Sequence, residues 1–211
     1  MKAIPLPETG GSAASIAHTT LLPRVDNKAA RITLESASAE DREQIYRSRH
    51  SVYATELGQH AENSAARLTD DLDGGNVYLV AKVAGVIAGF ISITPPACGK
   101  YSIEKYFEKS ELPFALHDQL FEVRLLTVLK GARNRGVSEL LVYAALRWIQ
   151  AHGGTHIVGL GRHDLMEMYQ RFGMQFAGLS TQSGAVTYDL MHAEVRQLSE
   201  RSERFADLLS R

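Results

Sequence analysis

The sequence predicts a mixed α/β domain, a central sheet flanked by helices. Three observations predict it. Strand-like and helix-like hydrophobic patterns alternate from Arg31 onward. A Gly/Arg-rich loop separates an apolar strand from an amphipathic helix. The 211 residues are 45% hydrophobic and 22% charged, enough apolar material for one packed core of ordinary domain size.

The elements follow in order. Residues 1–30 are rich in Pro, Gly, Ser, Thr and Ala without a sustained period, and read as a flexible N-terminal arm. Leu6-Pro7-Glu8-Thr9-Gly10 spells a sortase signal there, but no apolar tail follows it, and chance explains it. Ile32 and Leu34 alternate with polar residues as in a short strand. Ser38 and Asp41 have capping-box spacing, so a helix starts there, with Ile45, Val52, Tyr53 and Leu57 on one face. An Asp/Gly turn at 71–75 precedes two strands, Val77–Val83 and Val86–Ile93, joined by a tight turn at Ala84-Gly85. Pro95-Pro96 ends the second. A helix is expected near Ile103–Lys109. Phe121–Val128 reads as a central strand. Leu140, Leu141, Ala144, Ala145, Trp148 and Ile149 mark an amphipathic helix that Gly153-Gly154 stops. Then come a strand at His156–Leu160, a short helix at Asp164–Phe172 before Gly173, and strands at Met174–Ala177 and Val186–Leu190. A C-terminal amphipathic helix follows over 193–211. The catalytic domain is therefore expected at 31–192.

Composition removes several function classes. A formal net charge of −1 argues against a dedicated nucleic-acid binder. One cysteine, Cys98, allows no internal disulfide. No apolar run approaches the roughly 20 residues of a membrane span, and no signal peptide is read at the N-terminus, so a cytoplasmic protein without membrane contact is expected. Eight histidines show no metal-ligand spacing, so no metal is expected.

The most informative segment runs from Val128 to Ser138, between a strand and a helix. A helix start leaves N–H groups unpaired and carries partial positive charge. Gly136 allows close backbone approach, and Arg133 and Arg135 add full charges. Together they suit a phosphate or diphosphate. Gly131 and Gly136 have P-loop spacing, but Val137 stands where a P-loop needs lysine. A solvated basic turn would read the same way in isolation.

Arg133-x-x-Gly136-x-Ser138 resembles the pyrophosphate loop of the GNAT acyltransferase superfamily. Downstream, Met168-Tyr169-Gln170-Arg171-Phe172-Gly173-Met174 resembles that family's Tyr-containing signature. The element order matches from Arg31 to about His192. Arg162, Met174 and Ser138 depart from the family pattern, at positions that commonly carry Asn, Phe and Gly or Ala. The resemblance implies a GNAT fold, in which a mixed sheet carries a splayed central strand pair. It also implies acyl transfer from a thioester to an amine.

That chemistry needs an amine deprotonated, an oxyanion stabilised and a thiolate protonated. By resemblance, backbone N–H groups near Leu126 and Val128 bind the donor arm and polarise the thioester carbonyl. The loop residues Arg133, Asn134, Arg135, Gly136, Val137 and Ser138 bind its diphosphate. Tyr169 is the candidate general acid and Glu122 the candidate base. Tyr169 also reads as a packing aromatic and Glu122 as an ion-pair partner of a neighbouring Arg, and both alternatives stay open. His156 and His163 are further relay candidates.

Arg47, Arg49, Val52-Tyr53, Glu56, Leu57-Gly58-Gln59 and Asp70–Asp73 look like the N-terminal part of acyl-homoserine-lactone and N-acyl amino acid synthases. An Asp-rich turn after a charged helix reads equally well. The donor is thus expected to be acyl-CoA, acetyl or longer, or acyl-carrier-protein phosphopantetheine. The expected partners are a small-molecule amine and, on the second reading, acyl carrier protein, with a homodimer left open. A non-catalytic acyl-CoA-binding module is the alternative from another class.

Overall fold

The computed structural model describes residues 32–209. The arm expected over residues 1–30, with its sortase-like pentapeptide, lies outside the described residues. Seven strands form one sheet in the order β1-β2-β3-β4-β5-β7-β6: β1 (Ile32–Ser36), β2 (Val77–Val83), β3 (Val86–Thr94), β4 (Leu120–Val128), β5 (His156–Arg162), β6 (Gln175–Ser183) and β7 (Val186–Glu194). Among the described residues only β4 and β5 pair in parallel; the other neighbours are antiparallel. A parallel pair needs a long crossover, which α2 (Val137–Ala151) supplies.

The expected helix at Ser38 is α1 (Ala39–Arg49), and the capping box forms in both directions between Ser38 and Asp41. Past Arg49 the chain continues as a π-helix over His50–Glu56, with Leu57 N–H donating to Val52 O. The wider turn rotates the side chains off an α-helical face. Ile45 packs into the core, whereas Tyr53 points into a cavity.

One face of the sheet carries α2 and α4 (Val195–Leu209) over the largest apolar cluster, with Ile91, Leu141, Ile149 and Ile157 at its centre. The other face has two smaller clusters, one under α1 around Tyr78 and Phe90, one under the 101–116 loop around Ile103 and Leu190. All six expected core residues of α2 are buried. Fully burying each large side chain stabilises the fold by about 1.5–3 kcal/mol.

Three expectations change. The helix expected at Ile103–Lys109 is a short 3-10 turn, Ser102–Lys105, with the Glu122 carboxylate accepting the N–H groups of Ser102 and Ile103. The strand expected to end at Ala177 runs on to Ser183, since it pairs along β7 past a bulge between Phe176 and Ser180. The last helix begins at Val195 rather than at 193, because Ala193 is held in β7 opposite Ile157.

Candidate active site

β4 and β5 pair only at Leu120–Glu122 with His156–Val158, then separate. Two local features accompany the split. Leu125 has φ +55, within a register shift of β4 against β3. Beyond it, Leu129 N–H donates to Ala88 O on β3. Successive N–H groups along a strand face opposite edges, so Thr127 shares that edge while Leu126 and Val128 face the gap. These are the two backbone positions the sequence singled out.

A cavity of about 330 Å³ passes through the split. Toward α2 it enters the main core and is mostly apolar, lined by Ile91, Val123, Val142, Ala145, Leu146 and Ile157, with Glu139, Tyr143 and Ser202 the polar residues on that side. Its outer end is polar, with Arg49, Tyr53, Lys105, Arg124, Arg162 and Tyr188. Tyr169 also lines it.

Tyr169 is held by α3 (Met166–Phe172), whose last turn is closed by Gly173 in the left-handed conformation at φ +101. Its ring lies flat on Gly161 of β5. A Cβ at 161 would sit 2.6 Å from the ring, so only glycine seats it there. Burial pushes the phenol up to about 12, against a hydrogen bond from the Arg162 backbone N–H. At neutral pH Tyr169 therefore keeps its proton.

The Gly/Arg loop leads from β4 to α2. Arg133, Asn134, Arg135 and Gly136 are exposed, Val137 is buried and Ser138 half-buried. Asn134 and Gly136 have φ +63 and +73, which turns the chain into α2 at Val137. Arg133 donates to Val128 O at 3.2 Å and to Glu56 Oε1 at 2.7 Å, tying the loop to the π-helix. Ser138 donates to Glu139.

Glu122 is fully buried behind Ser102. Its oxygens accept Ser102 N–H at 2.7 Å, Ser102 Oγ–H at 2.5 Å and Ile103 N–H at 3.1 Å. Burial pushes its carboxyl up, against the charge of Arg124 and those hydrogen bonds.

The outer end rests on a buried ionic network. Arg49 donates to Asp73 at 2.8 Å and to Asp70 at 3.1 Å, and Arg124 donates to Asp70 at 2.6 Å. Tyr78 donates to Asp73 at 2.6 Å. Burial alone would raise the Asp70 carboxyl, but the hydrogen bond and charge of Arg124, with Arg49 beside it, hold it down at about 2. Among the described residues, Arg49 Nε is the buried side-chain donor without a partner.

The sequence reading missed Lys105, Arg124, Thr127 and Tyr188 as site residues. Nothing local distinguishes them: each is one position in a strand or turn, and pairing with distant segments brings Lys105, Arg124 and Tyr188 to the cavity and Thr127 to the Tyr53 hydroxyl. His156 and His163 lie outside the cavity lining. His163 Nδ1 contacts the buried Asp189 at 2.7 Å, and His156 Nδ1 contacts Thr155 Oγ1 at 3.0 Å. Cys98 is half-buried, its thiol pushed up by burial and then by the Glu122 charge. Among the described residues no group of acidic, His or Cys side chains could hold a metal ion, and no helix is long and apolar enough to cross a membrane.

A split parallel pair, a bulged strand and a strand–Gly/Arg loop–helix crossover define an acyltransferase class. The sequence profile of the Acetyltransferase (GNAT) family matches residues 39–174, and the chain belongs to that family. It is an acyltransferase enzyme with a GNAT fold. Among solved structures it is similar to the CoA-dependent acyl-homoserine lactone synthase BjaI, determined with SAM and isopentyl-CoA. The TM-score is 0.69 at 18% identity, over 84% of this chain and 90% of that one. FeeM, an N-acyl amino acid synthase from uncultured soil microbes, gives 0.63 at 13% identity over 82% and 95%. An N-acetyltransferase from Lactobacillus plantarum, named there with its assignment unproven, gives 0.60 at 17% over 78% and 98%. Comparison with curated protein sequences found no match.

Proposed function

We propose that this enzyme transfers an acyl chain longer than acetyl from a thioester donor to the amine of a small, amino-acid-like molecule. The observation that carries this is the cavity, apolar where it enters the core and polar where it opens. An unfilled void in a core forfeits dispersion contacts. An acyl chain fills this one with the groups that its lining favours, at about 0.8 kcal/mol per methylene buried.

The donor is acyl-CoA. Its diphosphate sits on Arg133, Asn134, Arg135 and Gly136 and the first N–H groups of α2, at Val137 and Ser138. The arm runs along the open edge of β4, where the N–H groups at Leu126 and Val128 hold it and polarise the thioester carbonyl. The amine lone pair attacks that carbon; a C–N bond forms, and the C–S bond breaks as the tetrahedral intermediate collapses. Tyr169 gives its proton to the departing sulfur and is reprotonated from solvent. Burial raises the proton affinity of thiolate and phenol alike, so it does not set them against each other. The proton lost by the amine leaves through water at the polar mouth. Glu122, its oxygens occupied by Ser102 and Ile103, positions the 101–105 turn that lines the chamber.

The acceptor carries a carboxylate or similar oxygen group. Arg49 Nε is a buried donor on a cavity-lining side chain with no protein partner, and Lys105 and Arg162 stand at the mouth. A carrier-protein donor is the second reading, favoured by the exposed basic run Lys130, Arg133 and Arg135, which suits an acidic carrier surface.

The test is thiol release from acetyl- to tetradecanoyl-CoA, and from matching acyl-carrier proteins, against the twenty amino acids. The reading expects a preference for long chains, CoA binding that weakens in Arg133→Glu, and, if a carrier protein is the donor, rates that fall with salt. No amine-dependent thiol release from any donor would overturn it.

A further inference from the structure

Hydrogen-bond polarity sorts the three tyrosines at the strand split. Thr127 Oγ donates to Leu125 O at 2.9 Å, a carbonyl exposed by the bulge. That hydroxyl has one proton, so its 3.0 Å contact with Tyr53 must be a hydrogen bond donated by Tyr53. Tyr188 donates to Gln59 Oε1 at 2.7 Å. The other end of the Gln59 amide, Nε2, donates to Ser183 at 3.1 Å. Tyr53 and Tyr188 thus have their protons committed away from the cavity that both line, and what remains on each oxygen is lone pairs. Tyr169 lines the same cavity and keeps its proton at neutral pH.

We infer that the Tyr53 and Tyr188 oxygens form the subsite for the acceptor amine, each accepting one N–H of a primary amine and leaving its lone pair for the thioester carbon. This rests on the acyltransfer reading above. Neither tyrosine is the base. The relay from Tyr53 ends at a carbonyl oxygen and that from Tyr188 at an amide oxygen, so neither can pass a proton on. They orient the nucleophile, and they select primary over N-alkylated amines, which lack the second N–H. The π-helix that carries Tyr53 and the Gln59 contact across to β7 are what place the two oxygens on one chamber.

The test uses decanoyl-CoA as donor and the amino acid that the wild type acylates fastest, with its N-methyl derivative beside it. Tyr53→Phe and Tyr188→Phe should each raise the KM for the amine about tenfold, the usual size of one lost neutral hydrogen bond. The wild type should prefer the primary amine about tenfold, and the preference should collapse in the double variant. Thr127→Val, which frees the Tyr53 proton to turn inward, should mimic Tyr53→Phe, and Thr127→Ser should behave as wild type; this pair serves if Tyr53→Phe unfolds. Unchanged amine KM in variants that melt like the wild type, or equal use of the N-methyl derivative, would overturn the inference alone. A wild type that acylates no amine would remove the acyltransfer reading, and that is seen before any variant is made.

Discussion

Replacing Ala145 by leucine tests whether the inner cavity holds the acyl chain. Ala145 is 2% exposed on α2 and faces the apolar end of the cavity. Leucine adds three carbons, and the space open to them is the cavity itself. They take the volume of about three chain methylenes, and at ~0.8 kcal/mol each the longest chains lose about 2.4 kcal/mol. That is roughly a 60-fold fall in kcat/KM for a chain that fills the wild-type cavity, with little change for acetyl. The assay is kcat/KM across acyl-CoAs from two to fourteen carbons at one fixed amine. In the wild type each added methylene should raise it by about fourfold until the cavity is full. In Ala145→Leu the plateau should come about three carbons earlier. Overpacking costs about 1–3 kcal/mol of stability, so melting is followed in parallel. A wild type fastest with acetyl-CoA, or a plateau unmoved in a folded variant, would refute the assignment.

Three further outcomes are expected. Tyr169→Phe should keep the melting temperature and CoA affinity but cut turnover by roughly 10²–10⁴-fold, the range of a general acid, whereas a packing role leaves turnover intact. Glu122→Gln should lower the melting temperature by removing one acceptor from the Ser102–Ile103 turn, and raise KM more than it lowers kcat; an intact fold with kcat down by two or more orders would make Glu122 the base instead. Asp70 titrates at about 2 in the fold against 3.8 unperturbed, so its contribution is present above about pH 4 and is lost as pH falls toward 2. Urea midpoints at pH 6, 4 and 2.5 should show that slope in the wild type and a shallower one in Asp70→Asn.

Much of the chain is legible residue by residue. The Ser38–Asp41 box, the Ala84-Gly85 turn, with φ +50 and +80, and the Gly173 cap are local devices, and each lies where the sequence places it. The α2 face is legible because helical periodicity reports burial directly. Failures fall where a distant group decides. The 103–109 segment has helical composition, but it forms one 3-10 turn docked on Glu122 and packed through Ile103 and Phe107. The π-helix carries no compositional mark, and its register decides that Tyr53 faces the cavity.

For the site the division is similar. Sequence alone shows the Gly/Arg loop before a helix and the Tyr–Gly signature, because both are contiguous. It also determines the family, since those two motifs lie in one ordered run of elements. The tertiary structure decides the rest. Strand separation depends on where pairing stops, at Glu122 and Val158. The depth of the apolar chamber depends on how α2 and α4 stand off the split. The donor or acceptor character of each tyrosine depends on a partner far along the chain: Thr127 is 74 residues from Tyr53, and Gln59 is 129 residues from Tyr188. A hydroxyl has one proton, and only folding decides where that proton goes.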